Sequence, residues 1–138
     1  MPHLERENPS TVHHPTGYTH VVEVGGLLFL SGQTGYRPDG TLAGDTVEEQ
    51  LTQLLENMKA VLAARGASMD DVAKITIFSL DTAQRDAIIA ARDRYFPGDK
   101  PASTYLVVKA LARPEILVEI EAIAVAPTRS VKAKDLSK

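Results

Sequence analysis

One stretch constrains the fold more than any other. In "DTVEEQLTQLLENMKAVLAARG", Val47, Leu51, Leu54, Leu55, Met58, Val61 and Leu62 recur at spacings of three and four. That is a single apolar stripe on a long helix, with charged residues on its other side. A helix with one greasy face needs a partner layer, so the remaining chain must supply a surface to cover it. Asp45 followed by Glu48 reads as a capping box at its start, and Gly66 suits its C-terminal cap.

The rest of the chain reads mainly as strands. "YTHVVEV" alternates, Gly25 and Gly26 signal a turn, and "LLFLSGQ" follows as a second strand. Pro38, Asp39 and Gly40 stand in turn order. A strand is expected from Val72 to Leu80, a second helix from Thr82 to Tyr95 with Asp81 as its cap, and two closing strands over 103–110 and 116–126. Residues 1–16 hold three of the four His and three of the eight Pro, and read as an extended N-terminal arm. Residues 127–138 read as a polar tail. The whole is one domain, 1–138, of α+β class: a mixed sheet of about six strands with two helices on one face. Such a sheet keeps apolar residues, Leu28 or Phe29 among them, on its second face, and normally buries that face against another copy.

Totals exclude several function classes. The 138 residues suit one domain with a real core. No cysteine is present, which removes disulfides, thiol nucleophiles and zinc–thiolate sites. No apolar run reaches the ~18 residues of a membrane helix, and the polar N-terminus does not read as a secretory signal. The expectation is a cytoplasmic protein. A net charge of −3 provides no basic field, which disfavours a nucleic-acid role.

Glu119 and Glu121 lie two apart on the last strand, so they share a face. Two carboxylates there must be solvated, paired or used. One reading is a general acid/base or water-positioning carboxylate of raised pKa; the other, commoner on spacing alone, is a pair of structural ion pairs. Tyr18 and His20 share a face by the same alternation, as pocket lining or as a partly exposed strand end. His13 and His14 are adjacent and point apart in an extended arm, so no metal site is expected. "SGQTG" at 31–35 has no following Lys or helix; it reads as a strand end with free amides rather than a phosphate loop.

"GYTHVVEVGGLLFLSGQTG", "QLLENMKAVLAARGASMDDVAKITIF", "RYFPGDKPAS" and "LVEIEAIAV" together resemble the RidA family, also called YjgF/YER057c/UK114, over residues 15–126. The resemblance implies a chorismate-mutase-like sandwich and a homotrimer with sheets inside and helices outside. It implies small-molecule clefts between subunits, and hydrolysis of enamines and imines of 2-amino acids without metal or organic cofactor. Other members are linked to ribonuclease activity or translation inhibition. On this resemblance Glu119 is the carboxylate that positions the hydrolytic water, Tyr18 the pocket tyrosine, and Ser31 with Gly32 the strand-end segment.

One position departs. Deaminating members carry an arginine that clamps the substrate carboxylate where this chain reads Pro101-Ala102-Ser103-Thr104, so Ser103 takes its place. Tyr105 stands where a small cysteine is common, and the loop "LARPE" is one residue longer. A serine offers one neutral hydrogen bond of ~1 kcal/mol, against ~1.5–3 kcal/mol for each charge-assisted bond of a guanidinium. At ~1.4 kcal/mol per tenfold, amino-acid-derived ligands would bind weaker by one to several powers of ten. Arg37, Lys109 and Arg113 are the candidate substitutes; Lys109 is ~20 Å along the strand from Ser103 and out of reach, and Arg113 in the loop is the best placed. Both an enzyme with altered substrate choice and a non-catalytic binding trimer remain open.

Overall fold

The structure, a computed structural model, describes residues 3–128. Most of the expected tail, 129–138, lies outside them. The elements are β1 (Glu5–Glu7), β2 (Val21–Val24), β3 (Leu27–Gln33), α1 (Val47–Ala64), β4 (Val72–Ser79), α2 (Arg85–Tyr95), β5 (Ala102–Val107) and β6 (Val118–Val125), with single 3-10 turns at Met69–Asp71 and Thr82–Gln84. The six strands form one sheet in the order β1-β2-β3-β6-β4-β5. Only β4 and β5, joined through α2, run parallel; the other pairs are antiparallel.

Both helices pack on one face. Every residue of the predicted α1 stripe is buried, and it meets Leu28, Leu30, Ile75, Ile77, Ile120 and their neighbours from alternate sheet positions, with Ile88 and Ala91 of α2 completing the core. Leu28 is thus a core residue, and Phe29 is the one on the uncovered face. There Phe29 pairs with Ile123 and Leu27 with Val125. Leu27, Phe29, Leu106 and Val125 stay 38%, 41%, 43% and 49% exposed, an apolar surface with no layer over it.

Local signals explain the connections. The β2–β3 turn places Gly25 and Gly26 at φ 58° and 79°, a pair of left-handed residues that matches a two-residue hairpin. The start of α1 differs from expectation. The cap is Thr46, whose hydroxyl accepts from the Glu49 backbone N–H at 3.2 Å and donates to the Glu49 carboxylate at 2.7 Å. The same S/T-x-x-E logic applies one residue later than Asp45–Glu48, because Val47 is already buried.

The N-terminal arm also differs. Residues 5–7 pair with β2 as the edge strand, and Val12 and Pro15 are buried. Arg65, just past the end of α1, ties this edge down. Its guanidinium reaches Glu7 at 3.1 Å and Glu23 at 2.8 Å, and also bonds Glu5. Among the described residues no helix is long and apolar enough to cross a membrane.

Candidate functional site

The site begins with an irregularity in the sheet. Leu30 pairs with Ala122 and Gln33 with Ile120, so three steps on β3 oppose two on β6. This β-bulge turns both Ser31 and Gly32 toward the uncovered side, and bulges of this kind often re-aim residues beside functional sites. Opposite lies Glu119. A β-carbon on Gly32 would stand 2.7 Å from Cδ of Glu119, so only glycine admits the carboxylate here. Glu119 and Glu121 do share the uncovered face, opposite Phe78 and Thr76 of β4.

A pocket of about 850 Å³ opens at this end of the sheet. Its walls are the segment before β2 (His13 to Tyr18), the bulge, the loop after β3 through Tyr36 and Asp39, the loop before β6 with Arg113, and Glu119 and Glu121. Residues singled out from the sequence meet here: Tyr18, Ser31, Gly32, Arg113, Glu119 and Glu121, together with His13 and His14 of the arm. Ser103 and Tyr105 do not join them within one chain. Both sit on edge strand β5, paired with Ile75 and Ile77, so their side chains take the helix-covered side. Ser103 is exposed there, while Tyr105 packs on the core with its hydroxyl buried and without a partner among the described residues. Arg37 spends its guanidinium on its own turn, donating to Thr41 Oγ1, Leu42 O and Ala43 O at 3.2, 2.9 and 3.0 Å. Arg113 is therefore the one candidate cation of the three that lines the pocket.

The electrostatics are uneven. Burial pushes the Glu119 carboxyl above its ordinary value, and the like charge of Glu121 adds to this. Burial likewise raises the Tyr18 phenol, with Glu119 as the second cause. Tyr18 and His20 stand close, rings T-shaped at 5.5 Å, although β2 proper begins only at Val21. His20 is fully buried: its Nε2 donates to His13 O at 2.8 Å and its Nδ1 takes the Gln33 amide at 3.2 Å. Ser31 Oγ donates to Thr19 O at 2.5 Å, and Tyr36 donates to Glu115 at 3.0 Å. Among the described residues, no three His, Cys, Asp or Glu side chains gather as metal ligands.

Sequence reasoning missed the residues that hold the pocket loops. Asn57 Nδ2 donates to Thr34 O and Tyr36 O at 3.0 and 2.8 Å. Gln50 Nε2 donates to Gly44 O and Glu115 O at 3.0 and 2.9 Å, and its Oε1 accepts from Leu117 N at 2.8 Å. Both lie buried in α1. Their signal was present: two amides seven residues apart, inside the apolar stripe.

A helix-backed mixed sheet, bare on its other face and bulged beside a half-buried carboxylate, defines a chorismate-mutase-like sandwich with a pocket at the sheet end. The chain belongs to the RidA (YjgF/YER057c/UK114) family: the family model described as endoribonuclease L-PSP matches residues 9–126. It is 36% identical over 108 residues to Reactive Intermediate Deaminase A, chloroplastic, of Arabidopsis thaliana, covering 78% of this chain and 57% of that protein. The solved structure of yeast YEO7 superposes with a TM-score of 0.86 at 31% identity, over 91% of this chain and 100% of that one. Escherichia coli TdcF, solved with bound serine, gives 0.82 at 30% identity, over 91% and 99%.

Proposed function

We propose that this chain assembles as a homotrimer through the bare face of its sheet and hydrolyses small imines or enamines in the cleft around Glu119. The observation that carries the reading is the Glu119 carboxylate: half-buried, held against Gly32, and raised above its ordinary pKa by burial. Water adds to the carbon of the C=N bond while Glu119 takes one of its protons. Glu119 returns that proton to the substrate nitrogen to give the carbinolamine, which collapses as its hydroxyl proton passes by way of Glu119 to the same nitrogen, so that ammonia leaves, the carbonyl compound remains and Glu119 is again ionised. The Tyr18 hydroxyl and the backbone amide at Gly32 meet charge that develops on the reacting atoms; both donors of Ser31 are already committed to Thr19 O and His20 O. A relative named as a reactive intermediate deaminase and a solved neighbour holding serine support a small amino-acid-derived ligand.

Substrate choice differs from that of arginine-bearing members. Ser103, exposed on the edge strand, would bear on the cleft only from β5 of an adjacent copy and brings no charge, while Tyr105 is taken up by its own core. Arg113 is the cation available to an anionic substrate. Ser103 is also the observation favouring a second reading, a trimer that binds a small molecule without turning it over. RNA cleavage, suggested by the family model's description, finds little support in a net charge of −3.

The test generates imines in situ from a panel of amino acids with an amino-acid oxidase and follows release of the carbonyl product. Wild type accelerates release and Glu119→Gln does not. Equal rates for wild type and buffer across the panel defeat the enzyme reading. A gain on Ser103→Arg shows that the remaining cleft is competent.

A further inference from the structure

His13 enters the pocket from the segment before β2. Its Nε2 lies 3.1 Å from the Tyr18 hydroxyl. Its carbonyl is fastened by the buried His20 ring, and its own ring packs against His20 and Tyr36 at 5.0 and 5.7 Å. The other ring nitrogen, Nδ1, is buried and has no hydrogen-bond partner among the described residues. Burial, and secondly His20, hold the His13 imidazole below its ordinary pKa, which leaves a single ring proton to place at neutral pH.

That proton has two possible seats. On Nδ1 it would be a buried donor with nothing to accept it, the rarer and costlier arrangement. On Nε2 it is used, against the Tyr18 oxygen. Glu119 acts in the same sense, because its charge disfavours the Tyr18 phenolate and so keeps the hydroxyl hydrogen on Tyr18.

We infer that His13 is a positioning residue: its Nε2–H donates to the Tyr18 oxygen and so turns the Tyr18 O–H into the pocket as a fixed donor. The inference rests on the reading of this pocket as an imine site, and it narrows the ligand. The atom that meets Tyr18 is an acceptor, an imine nitrogen or a carbonyl or carboxylate oxygen, and not an ammonium group.

The tautomer is read from imidazole 15N shifts and long-range 1H–15N couplings in histidine-labelled, ligand-free protein, the His13 signals being those lost in His13→Gln. Protonation at Nε2 is expected; protonation at Nδ1 with a bare Nε2 overturns the inference whatever the activity. In imine hydrolysis, His13→Phe lowers kcat/KM by about five- to tenfold, the worth of one hydrogen bond. Folded His13→Gln, whose amide donates from nearly the same place, recovers most of that loss, and His13→Phe adds nothing in a Tyr18→Phe background. Multiplying losses, or no recovery in folded His13→Gln, overturn it. A wild type that hydrolyses no imine defeats the proposed function, and the 15N spectrum then decides His13 alone.

Discussion

The carboxylate of Glu119 occupies the space where Gly32 lacks a side chain, with 2.7 Å between Cδ and the position a β-carbon would take. The acid and the glycine come from adjacent strands and are 87 residues apart in sequence, yet each defines the other's place. Gly32→Ala must displace the carboxylate, since Gly32 sits in a strand whose neighbours are fixed by pairing. The expected outcome is a loss of imine hydrolysis of about ten- to a hundredfold in kcat, the scale of an ångström-sized misplacement. Unchanged far-UV circular dichroism shows that the fold survives.

The raised pKa of Glu119 sets the acid limb of the pH–rate profile. As base it must be ionised, so kcat/KM falls with decreasing pH at values above its ordinary 4.5. Glu121→Gln removes the second cause of the shift and moves this limb to lower pH, but not fully back, because burial remains. A limb unmoved by Glu121→Gln separates the two carboxylates.

The same shift has a consequence for stability. A carboxyl whose folded pKa is raised contributes stability that is complete below the unfolded value and is lost as pH rises through the folded value. Glu119→Gln, which cannot ionise, therefore raises Tm relative to wild type at neutral pH. Below the ordinary carboxylate pKa the charge-linked part of that gain vanishes. Paired melting curves across pH 3.5–8 (about the range of carboxyl titration) check the sign.

Asn57→Leu leaves the carbonyls of Thr34 and Tyr36 without their donor. A loss of about 2–4 kcal/mol in denaturant unfolding is expected, on the order of one desolvation penalty for each buried acceptor. Because these carbonyls belong to the loop that walls the pocket, KM rises as well.

Arg65→Ala unties β1 and β2 from the end of α1 and leaves Glu5, Glu7 and Glu23 crowded. About 1–3 kcal/mol of stability is lost, discounted for partial exposure. Added salt narrows the gap between mutant and wild type, because it screens the repulsion among the carboxylates.

Phe29→Asp places a charge in the bare apolar face beside Ile123. Analytical ultracentrifugation is expected to show a trimer for wild type and a monomer for the variant. A monomeric wild type removes the assembly from the proposal.

The secondary structure was legible where signals act within a few residues. The α1 stripe announced a one-faced helix, Gly25 and Gly26 announced a hairpin, and the alternation of β6 put Glu119 and Glu121 together on one face. The short edge strand β1 was not legible. Its three residues, Glu5 to Glu7, are all charged and carry no apolar alternation; they are held by backbone pairing to β2 and by Arg65 from 58 residues away. The capping residue of α1 moved by one because burial of Val47, a tertiary event, set where the helix begins.

The sequence by itself determined the class of the chain, its helices and turns, and that Glu119 and Glu121 share one face, because period, capping and left-handed glycine positions are local physical facts; the choice of Glu119 between the two came from the family resemblance. Which residues share the pocket was decided only by the tertiary structure. The bulge at Ser31–Gly32 turned that segment onto the face of Glu119, the buried amides of Gln50 and Asn57 fixed the loops around it, and the fastening of His13 by His20 brought an arm residue to Tyr18. Side-chain chemistry is written along the chain. Its juxtaposition depends on strand register and packing between segments far apart in sequence, which no local spacing encodes.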